Sequence, residues 1–421
     1  MNVRFPFGKK YLEYDFDEHL IGVLNSHIDE YVRQTSEIEL VRNALKNPIG
    51  SKSLSELSIG KKNVVIICSD HTRPVPSKII IPLMLEEIRK GNKDANITLL
   101  VATGFHRPTT KEELINKFGE KIVSEEKIII HKSLEDEMTY LGKLPSGGDL
   151  LVNKIVVEAD LLCSEGFIEP HFFAGYSGGR KSVLPGIASK KTILANHCSK
   201  FIDSKDARAG ILDNNPIHID MLYAAKKAGL QFICNVVINA KKEVVYAVSG
   251  DVDLAHKEGV KFLEKLCGVK KVEADIVIST NGGYPLDQNI YQSVKGMTSA
   301  EACVKRGGVI IMIASASDGH GGQSFFDTFN NDKSLDELYA EFMEKDAEHT
   351  VDDQWEAQIL TRILKKATVI YVSDLDDEMV KNFRMLPVKS LDEAIMLARE
   401  IMGNDASILA LPDGISIIVK E

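Results

Sequence analysis

Short apolar runs of strand length alternate with amphipathic stretches from about residue 60 onward. Asn63 to Cys68 and Asn96 to Ala102 are apolar runs, and Ser77 to Lys90 between them has apolar residues at helical spacing, closed by Gly91. Pro82 lies inside this predicted helix and is expected to kink it. This alternation is typical of a parallel sheet covered by helices on both faces.

End signals define several further elements of the first half. Thr110 with Glu113 predicts a capping box for a helix that ends at Gly119. Pro216 fits the first turn of a helix that ends before Gly229. The other predicted elements here are strands at Lys127 to His131 and Asp160 to Ser164, and a hairpin of Phe232 to Ile238 with Val244 to Val248.

The alternation restarts after a charged stretch, Cys267 to Glu273. The later predicted elements are strands at Asp275 to Ser279, Val309 to Ala314, Ala367 to Val372 and Ser407 to Leu411, a helix that includes Asn289 to Lys305, and a helix at Leu391 to Met402. We therefore predict an α/β protein with two Rossmann-like α/β domains and an active-site cleft between them. The expected domains cover residues 1–268 and 274–405, and one alternative for residues 406–421 is a return to the first domain.

Length, composition and charge narrow the class of protein. A chain of 421 residues with 44% hydrophobic and 27% charged residues is expected to form two globular domains. Its net charge is −10 without a long basic patch, so we expect no nucleic-acid partner, and an anionic substrate must be attracted by a few local cations. No stretch resembles a membrane span or a signal peptide, which predicts a cytoplasmic protein. Six scattered cysteines favour neither disulfides nor a zinc–thiolate site.

Three loops concentrate histidine, basic residues and turn residues. Ser69 to Pro74 and Thr103 to Pro108 each follow a predicted strand, and the third loop runs from Glu169 to His197. Ligands of open parallel sheets bind beyond the carboxyl ends of the strands. The side chains expected to converge in one cleft are therefore Arg73, His106, His171, Lys181 and His197.

Several of these loop side chains suit a chemical role. His106 and His171 could serve as alternating base and acid, because imidazole moves protons near neutral pH. His197 ends a predicted helix, and imidazole is a common ligand of nickel, copper or zinc. Arg73 could clamp a carboxylate, while Asp70 could orient Arg73, bind a ribose hydroxyl or cap a turn. The alternative for each histidine is a structural or surface position.

The run Gly178-Gly179-Arg180-Lys181-Ser182 lacks the glycine spacing of a P-loop. Its glycines could still bring backbone amides close to a phosphate, with charge from Arg180 and Lys181. A lysine buried beside Arg180 would have a lowered pKa and could act as a nucleophile. The alternative is a surface turn with two solvated cations.

The second half offers fewer candidates. Tyr291 and Lys295 are four residues apart on one predicted helix face, and Gln292 is three residues from Lys295. A solvated helix face is the alternative for all three. Trp355 is the single tryptophan, for which packing is the competing explanation.

Together these segments resemble the lactate racemase family that uses a nickel-pincer nucleotide. The resemblance is carried by Ser69 to Pro74, by Ala102 to Arg107, and by His171 through Lys181 to His197, and it extends over nearly the whole chain. It implies an isomerase that racemises or epimerises 2-hydroxy acids. The implied cofactor is nickel pyridinium-3,5-bisthiocarboxylic acid mononucleotide, whose sulfur-bearing arms hold the metal.

The resemblance also implies a role for each candidate residue. Lys181 would form the covalent thioamide link to the cofactor, and His197 would complete the nickel coordination. His106 and His171 would be the two acid/base residues, acting on the substrate hydroxyl while the α-hydrogen moves as hydride. The other implied contacts are Asp70, Ser177, Gly178, Gly179 and Arg180 to the cofactor, and Arg73, Lys295, Gln292, Tyr291 and Trp355 to the substrate. The catalytic histidines and the cofactor would thus belong to the domain over residues 1–268.

The substrate and the partners are less defined. Phe172 and Phe173 beside His171 would suit a small apolar group, which favours lactate or a similar small acid, and epimerisation of a larger or sugar 2-hydroxy acid is the alternative. Cofactor-synthesis proteins are the implied partners for loading, and the oligomeric state is left open. Two alternatives lie outside this family. One is a metal-dependent hydrolase with His106, His171 and His197 as ligands, and the other is a non-catalytic nucleotide-binding protein.

Overall fold

The computed structural model describes residues 1–421 and confirms the α/β class. The strands are β1 (Asn2–Phe7), β2 (Lys10–Asp15), β3 (Leu20–Val23), β4 (Asn63–Ser69), β5 (Asn96–Ala102), β6 (Lys127–Ile130), β7 (Met138–Lys143), β8 (Asp149–Asn153), β9 (Leu161–Phe167), β10 (Pro170–His171), β11 (Gly175–Tyr176), β12 (Leu230–Ile238), β13 (Val244–Gly250), β14 (Gly268–Lys270), β15 (Ala274–Thr280), β16 (Val304–Ile313), β17 (Thr368–Val372), β18 (Leu386–Val388), β19 (Ile408–Leu411) and β20 (Ile418–Lys420).

The helices surround these strands, and none of them combines the length and the apolar character needed to cross a membrane. They are α1 (Glu37–Lys46), α2 (Leu54–Ser58), α3 (Ser77–Gly91), α4 (Lys111–Phe118), α5 (Glu120–Glu125), α6 (Lys154–Val157), α7 (Lys190–Asn196), α8 (Ser199–Asp203), α9 (Pro216–Lys227), α10 (Leu254–Cys267), α11 (Ile290–Cys303), α12 (Gln323–Phe329), α13 (Leu335–Glu344), α14 (Gln354–Lys366), α15 (Asp377–Asn382) and α16 (Leu391–Met402).

The first sheet has the strand order β13-β12-β9-β4-β5-β6. Its strands are parallel except for β13, which forms the expected antiparallel hairpin with β12. Val64 to Cys68 are all buried, as are Leu161 to Phe167. Parallel strands covered by helices on both faces are apolar throughout, which explains why β4 and β5 were visible as continuous apolar runs.

The second sheet has the order β18-β17-β16-β15-β19-β3, and every pair in it is parallel. Its edge strand β3 comes from the N-terminus, and Phe5 and Phe16 lie in the same core as Ile311. The N-terminal residues therefore pack with the second sheet and depart from the expected first domain over residues 1–268. The alternating burial of β1 marks a half-buried strand, but such a pattern does not specify the sheet that covers it.

The C-terminal residues divide between the two halves. β19 lies inside the second sheet between β15 and β3, while β20 pairs with β14 at the junction. Ile418 of β20 packs with Ile168 and Tyr176 of the first half. We propose a division in which the chain enters the first domain after β3 and leaves it near β14.

The residues that signal helix ends predicted the boundaries correctly where their side chains form hydrogen bonds with the backbone. The Thr110 hydroxyl accepts a hydrogen bond from the Glu113 amide, and the Glu113 carboxylate accepts one from the Thr110 amide, so the predicted capping box is confirmed. Pro216 is the first residue of α9, as expected. One boundary was wrong: α11 ends at Cys303, so Lys305 already belongs to β16, whose start was expected at Val309.

Candidate active site

The three loops meet in a cleft between the two sheets, at a cavity of about 290 Å³. β4, β5 and β9 deliver the loops from the first half, while α11 and α14 face them from the second half. Of the fourteen candidate residues, thirteen line this cavity: Asp70, Arg73, His106, His171, Ser177, Gly178, Gly179, Lys181, His197, Tyr291, Gln292, Lys295 and Trp355. The expected interdomain cleft is thereby confirmed.

Asp70 and His106 form a hydrogen-bonded pair across two strand-end loops. His106 Nδ1 lies 2.7 Å from Asp70 Oδ2, and Thr72 donates to the other carboxylate oxygen at 2.7 Å. Burial raises the pKa of Asp70, but the hydrogen bond from His106 and its charge, with Thr72 and Arg73, outweigh burial and hold that pKa below its usual value. Because an ionised carboxylate only accepts, Nδ1 must carry a proton, and in the neutral form of the ring Nε2 then holds the lone pair.

His171 carries its ring proton on the other nitrogen. Its ring stacks on Phe172 at 5.1 Å and meets the edge of Phe173 at 4.6 Å. Nδ1 accepts a hydrogen bond from the Ala174 amide at 3.2 Å, so the neutral ring carries its proton on Nε2. Burial, followed by the nearby charges of Lys181 and Lys295, lowers the pKa of His171 well below its usual value.

Gly178 and Gly179 form a cradle that no larger residue could form. Both have positive φ, 79° and 52°, and a Cβ added to Gly178 would lie 2.8 Å from the Phe167 carbonyl oxygen. The Gly179 amide donates to Asn235 Oδ1 at 2.7 Å, which anchors the turn to β12. Glycine is required at Gly178 because a Cβ there would collide with the protein interior, and both glycines line the cleft with backbone alone.

Lys181 follows this cradle in a single turn of 3₁₀ helix, Gly179–Ser182. Its Nζ makes no hydrogen bond or ion pair with another residue and lies 5.9 Å from the centre of the Phe173 ring. Burial, then the charges of Arg180 and Arg73, lower the pKa of Lys181 well below its usual value. A larger fraction of the amine is thus neutral and nucleophilic than in an ordinary lysine.

Arg180 departs from the expectation that its side chain faces a cofactor. It is fully buried and points away from the cleft, because its guanidinium donates to the carbonyl oxygens of Ala174 (2.7 Å), Gly178 (3.3 Å) and Ser177 (3.4 Å). No carboxylate lies within 4.0 Å of it, and burial lowers the pKa of Arg180 to about 9. Arg180 therefore stabilises the glycine turn through hydrogen bonds to its carbonyl oxygens.

His197 caps the end of α7, as predicted, and is buried between two aromatic rings. The ring centres of Phe173 and Trp355 lie 5.0 Å and 5.1 Å from it. Its Nδ1 has no hydrogen-bond partner, and burial followed by the charge of Lys181 lowers the pKa of His197 to about 3. The imidazole is therefore neutral at physiological pH and has an uncommitted nitrogen, which is the state that binds a metal.

The protein itself offers no multi-residue metal site. No group of three or more His, Cys, Asp and Glu side chains is placed to hold an ion. The hydrolase alternative needs His106, His171 and His197 together, but His171 accepts a hydrogen bond from the Ala174 amide at Nδ1, so its Nε2 carries the proton and has no lone pair for a metal. This geometry gives that alternative no support.

The second half contributes a cation and its hydrogen-bond partners. Lys295 Nζ donates to Gln292 Oε1 at 2.5 Å, and Trp355 Nε1 donates to the Tyr291 hydroxyl at 3.1 Å. Burial lowers the pKa of Lys295, against the opposing charge of Glu356. Lys295 and Arg73 therefore bring two cations to one cleft, and neither has a carboxylate within 4.0 Å.

Sequence reasoning missed two carboxylates at the cleft. Glu165 accepts from the Ser69 hydroxyl (3.0 Å) and the Ser77 hydroxyl (2.7 Å), which ties the loop after β4 to β9. Glu356 is fully buried with both oxygens unpaired, and burial raises its pKa to about 8. A charge inside an apolar strand was a readable signal for Glu165, whereas Glu356 looks like any glutamate on a helix.

Comparison with known proteins agrees with this arrangement. A model of the lactate racemase N-terminal domain matches residues 7–210, and a model of the lactate racemase C-terminal domain matches residues 269–419. The chain belongs to the lactate racemase family. The resemblance seen in the sequence and the expected enzyme class, an isomerase, are thereby confirmed.

Individual relatives of this lactate racemase family member are similar over their full lengths. A lactate racemase of Thermoanaerobacterium thermosaccharolyticum is 54% identical over 423 residues, covering 100% of this chain and 99% of the relative. A lactate racemase of Lactiplantibacillus plantarum is 52% identical over 421 residues, covering 99% of each.

Solved structures agree on the fold. The lactate racemase apoprotein from Thermoanaerobacterium thermosaccharolyticum superimposes with a TM-score of 0.97 at 53% identity, covering 100% of both chains. A protein from Thermotoga maritima superimposes with a TM-score of 0.65 at 17% identity, over 93% of this chain and 100% of that one, and supports the fold alone.

Proposed function

We propose that this protein interconverts the two enantiomers of lactate, or of a similarly small 2-hydroxy acid, with a covalently bound nickel-pincer nucleotide. The observation that carries the proposal is the unpaired amine of Lys181 in the same cleft as two imidazoles that carry the ring proton on different nitrogens. The high identity to lactate racemases supports the substrate. Epimerisation of a larger 2-hydroxy acid is the alternative that uses the same cofactor.

The residues present fit the cofactor. Gly178 and Gly179 line the cavity with backbone alone, against which a nucleotide could lie, and Lys181 supplies a nucleophilic amine in the same cavity. His197 offers one uncommitted nitrogen, so the remaining donors to nickel would come from the organic group. When bound, the cofactor supplies a centre that takes up the α-hydrogen of the substrate with its electron pair and returns it.

The substrate carboxylate would lie between Arg73 and Lys295. A guanidinium and an ammonium suit a carboxylate, and Gln292 fixes the direction of the Lys295 amine. Phe172 and Phe173 border the cavity near His171 and leave an apolar surface for a methyl group. This combination of two cations and an apolar wall supports lactate over a diacid.

His106 would take the hydroxyl proton. Its Nε2 lone pair is available because Nδ1 donates to Asp70, and the same carboxylate stabilises the imidazolium that forms. His171 holds its proton on Nε2 and is oriented to donate a hydrogen bond to the substrate oxygen as that oxygen gains or loses its proton. We assign to it the second acid/base role.

The test is to produce the protein together with cofactor-synthesis proteins, which the proposal requires as loading partners. We expect interconversion of D- and L-lactate, a mass adduct on Lys181, and nickel bound to the protein. Lys181→Ala should lack both the adduct and the activity, while Lys78→Ala, on the exposed side of α3, should keep both. An active Lys181→Ala protein without adduct would contradict the proposal.

A further inference from the structure

A second and larger cavity lies at the junction of the two halves, with a volume of about 610 Å³. It is separate from the active-site cleft but shares one wall with it, the side chain of Phe172. α11 also serves both cavities: Tyr291, Gln292 and Lys295 line the cleft, and Thr298, Ser299, Glu301 and Ala302 line the second cavity. A ligand here would contact both halves of the protein.

The lining of this cavity is rich in cations. Lys205 and Arg208 reach it from the first half and Lys366 from the end of α14, and none of the three has a carboxylate within 4.0 Å. Lys271 and Lys420 also line it. The chain as a whole carries a net charge of −10, so this local excess of positive charge runs against the overall field.

The carboxylates of the same cavity are already neutralised. Glu301 is held by two hydrogen bonds from Arg362, at 2.8 Å and 2.7 Å. Glu264 accepts from Lys420 at 2.9 Å and from the Tyr176 hydroxyl at 2.6 Å, and Glu421 pairs with Lys271 at 3.1 Å. These pairs leave the three cations of Lys205, Arg208 and Lys366 unbalanced.

The guanidinium of Arg208 has hydrogen-bond donors that the protein does not use. Its Nη1 alone serves the loop, donating to the carbonyl oxygens of Ser204 and Ala207 at 2.8 Å each. Nε and Nη2 make no hydrogen bond within the protein. Burial, followed by the charge of Arg362, lowers the pKa of Arg208 to about 10, so the group stays charged while poorly solvated. A half-buried guanidinium with two free donors has the geometry that binds an oxyanion through paired hydrogen bonds.

We propose that this cavity is a binding site for a small oxyanion with two or more negative charges, held by Lys205 and Arg208 on one side and Lys366 on the other. Its ligand is either a phosphate-bearing molecule or a polycarboxylate. Because the cations come from both halves, the bound anion favours the arrangement of the two halves in which they approach each other. Through Phe172 and α11 that arrangement is linked to the width of the active-site cleft.

The test is calorimetric titration of the purified full chain at low ionic strength with inorganic phosphate and, separately, with citrate. We expect saturable binding of at least one of them, weakened about tenfold by the Lys205→Ala, Lys366→Met double variant, as loss of charge-assisted hydrogen bonds requires. The Lys205→Ala single variant should show part of this loss of affinity. Because Lys205 is exposed, this variant controls for misfolding of the double variant. Phosphate-only binding identifies a phosphate-bearing ligand, and citrate-only binding a polycarboxylate.

Two controls separate this site from the active-site cleft. Lys78→Ala removes an exposed lysine outside both cavities and should leave the affinity unchanged. Arg73→Ala removes a cleft cation and should also leave it unchanged. Three outcomes would overturn the proposal. They are loss of binding only in Arg73→Ala, equal affinity in the wild type and both variants that carry Lys205→Ala, and no binding of either anion.

Discussion

The Nδ1 atom of His106 lies 2.7 Å from the Oδ2 atom of Asp70, and this contact places a ring proton on Nδ1. The carboxylate is almost completely buried, with 1% of its surface exposed, so water competes poorly for it. In the proposed reaction, Asp70 would therefore act through His106. This position differs from the expected contact to the nucleotide, and the ribose contact stays a prediction.

Asp70→Asn should reduce kcat by about 10²-fold or more with little change in KM, because an amide can donate to Nδ1 and would then favour the wrong tautomer of His106. Steady-state kinetics of lactate racemisation measure this change. The mass adduct on Lys181 provides the control and should be retained. A variant with normal kcat would exclude Asp70 as the positioning residue of His106.

The neighbouring charge of Arg180 should control the reactivity of Lys181. Arg180→Met removes a cation that lowers the pKa of Lys181, so that pKa should rise and the amine should react more slowly with an acylating reagent near neutral pH. Peptide mass spectrometry of the cofactor-free protein across a pH series measures the labelling rate at Lys181.

Arg180→Lys is the matched control, since it keeps the charge while it loses the hydrogen bonds to Ser177, Gly178 and Ala174. We expect its labelling profile to stay close to that of the wild type. If both variants show the same profile, the charge of Arg180 has no part in activating the amine.

The positions of the first two loops could be predicted because they follow from the parallel sheet. β4 and β5 are continuous apolar runs, and a polar loop that follows such a run lies at the edge where ligands bind. Arg73 and His106 were found in this way, whereas His171 was found from the density of histidine and turn residues in its own loop. The contacts that decide their protonation, to Asp70 and to the Ala174 amide, were not predictable, because they depend on side-chain directions that no sequence spacing fixes.

Burial was the other property that the sequence concealed. Arg180 and Lys181 are adjacent and chemically similar in sequence, yet one is enclosed by carbonyl oxygens and the other opens to the cleft. Glu356 follows Trp355 on α14 and is buried where the two halves meet. In each case tertiary packing, not local pattern, determines the environment of the charge.

Lys295→Met should raise the KM for lactate by about tenfold or more, with a smaller effect on kcat, because it removes one of two cations that would hold the substrate carboxylate. Gln292→Ala should raise KM less, since it only frees the direction of the Lys295 amine. Kinetics with both enantiomers measure the two effects. An unchanged KM in Lys295→Met would remove this residue from the substrate site.

His218 should make the stability of the protein depend on pH. Burial, followed by the charge of Arg180, lowers the pKa of His218 to about 3, whereas an unfolded histidine titrates near about 6.5. Between these values the unfolded chain binds a proton that the folded protein does not, so this contribution to the free energy of unfolding is complete above about pH 6.5 and is lost progressively as the pH falls toward 3.

Denaturant unfolding of the cofactor-free protein at pH 7 and pH 5.5 measures the loss of free energy of unfolding between these two pH values. His218→Gln removes one group that takes up a proton on unfolding, so its loss should be smaller by roughly 1.4 kcal/mol per pH unit. His349 is exposed, so His349→Gln should leave the loss unchanged, and equal losses in wild type and His218→Gln would rule out a buried neutral imidazole at this position.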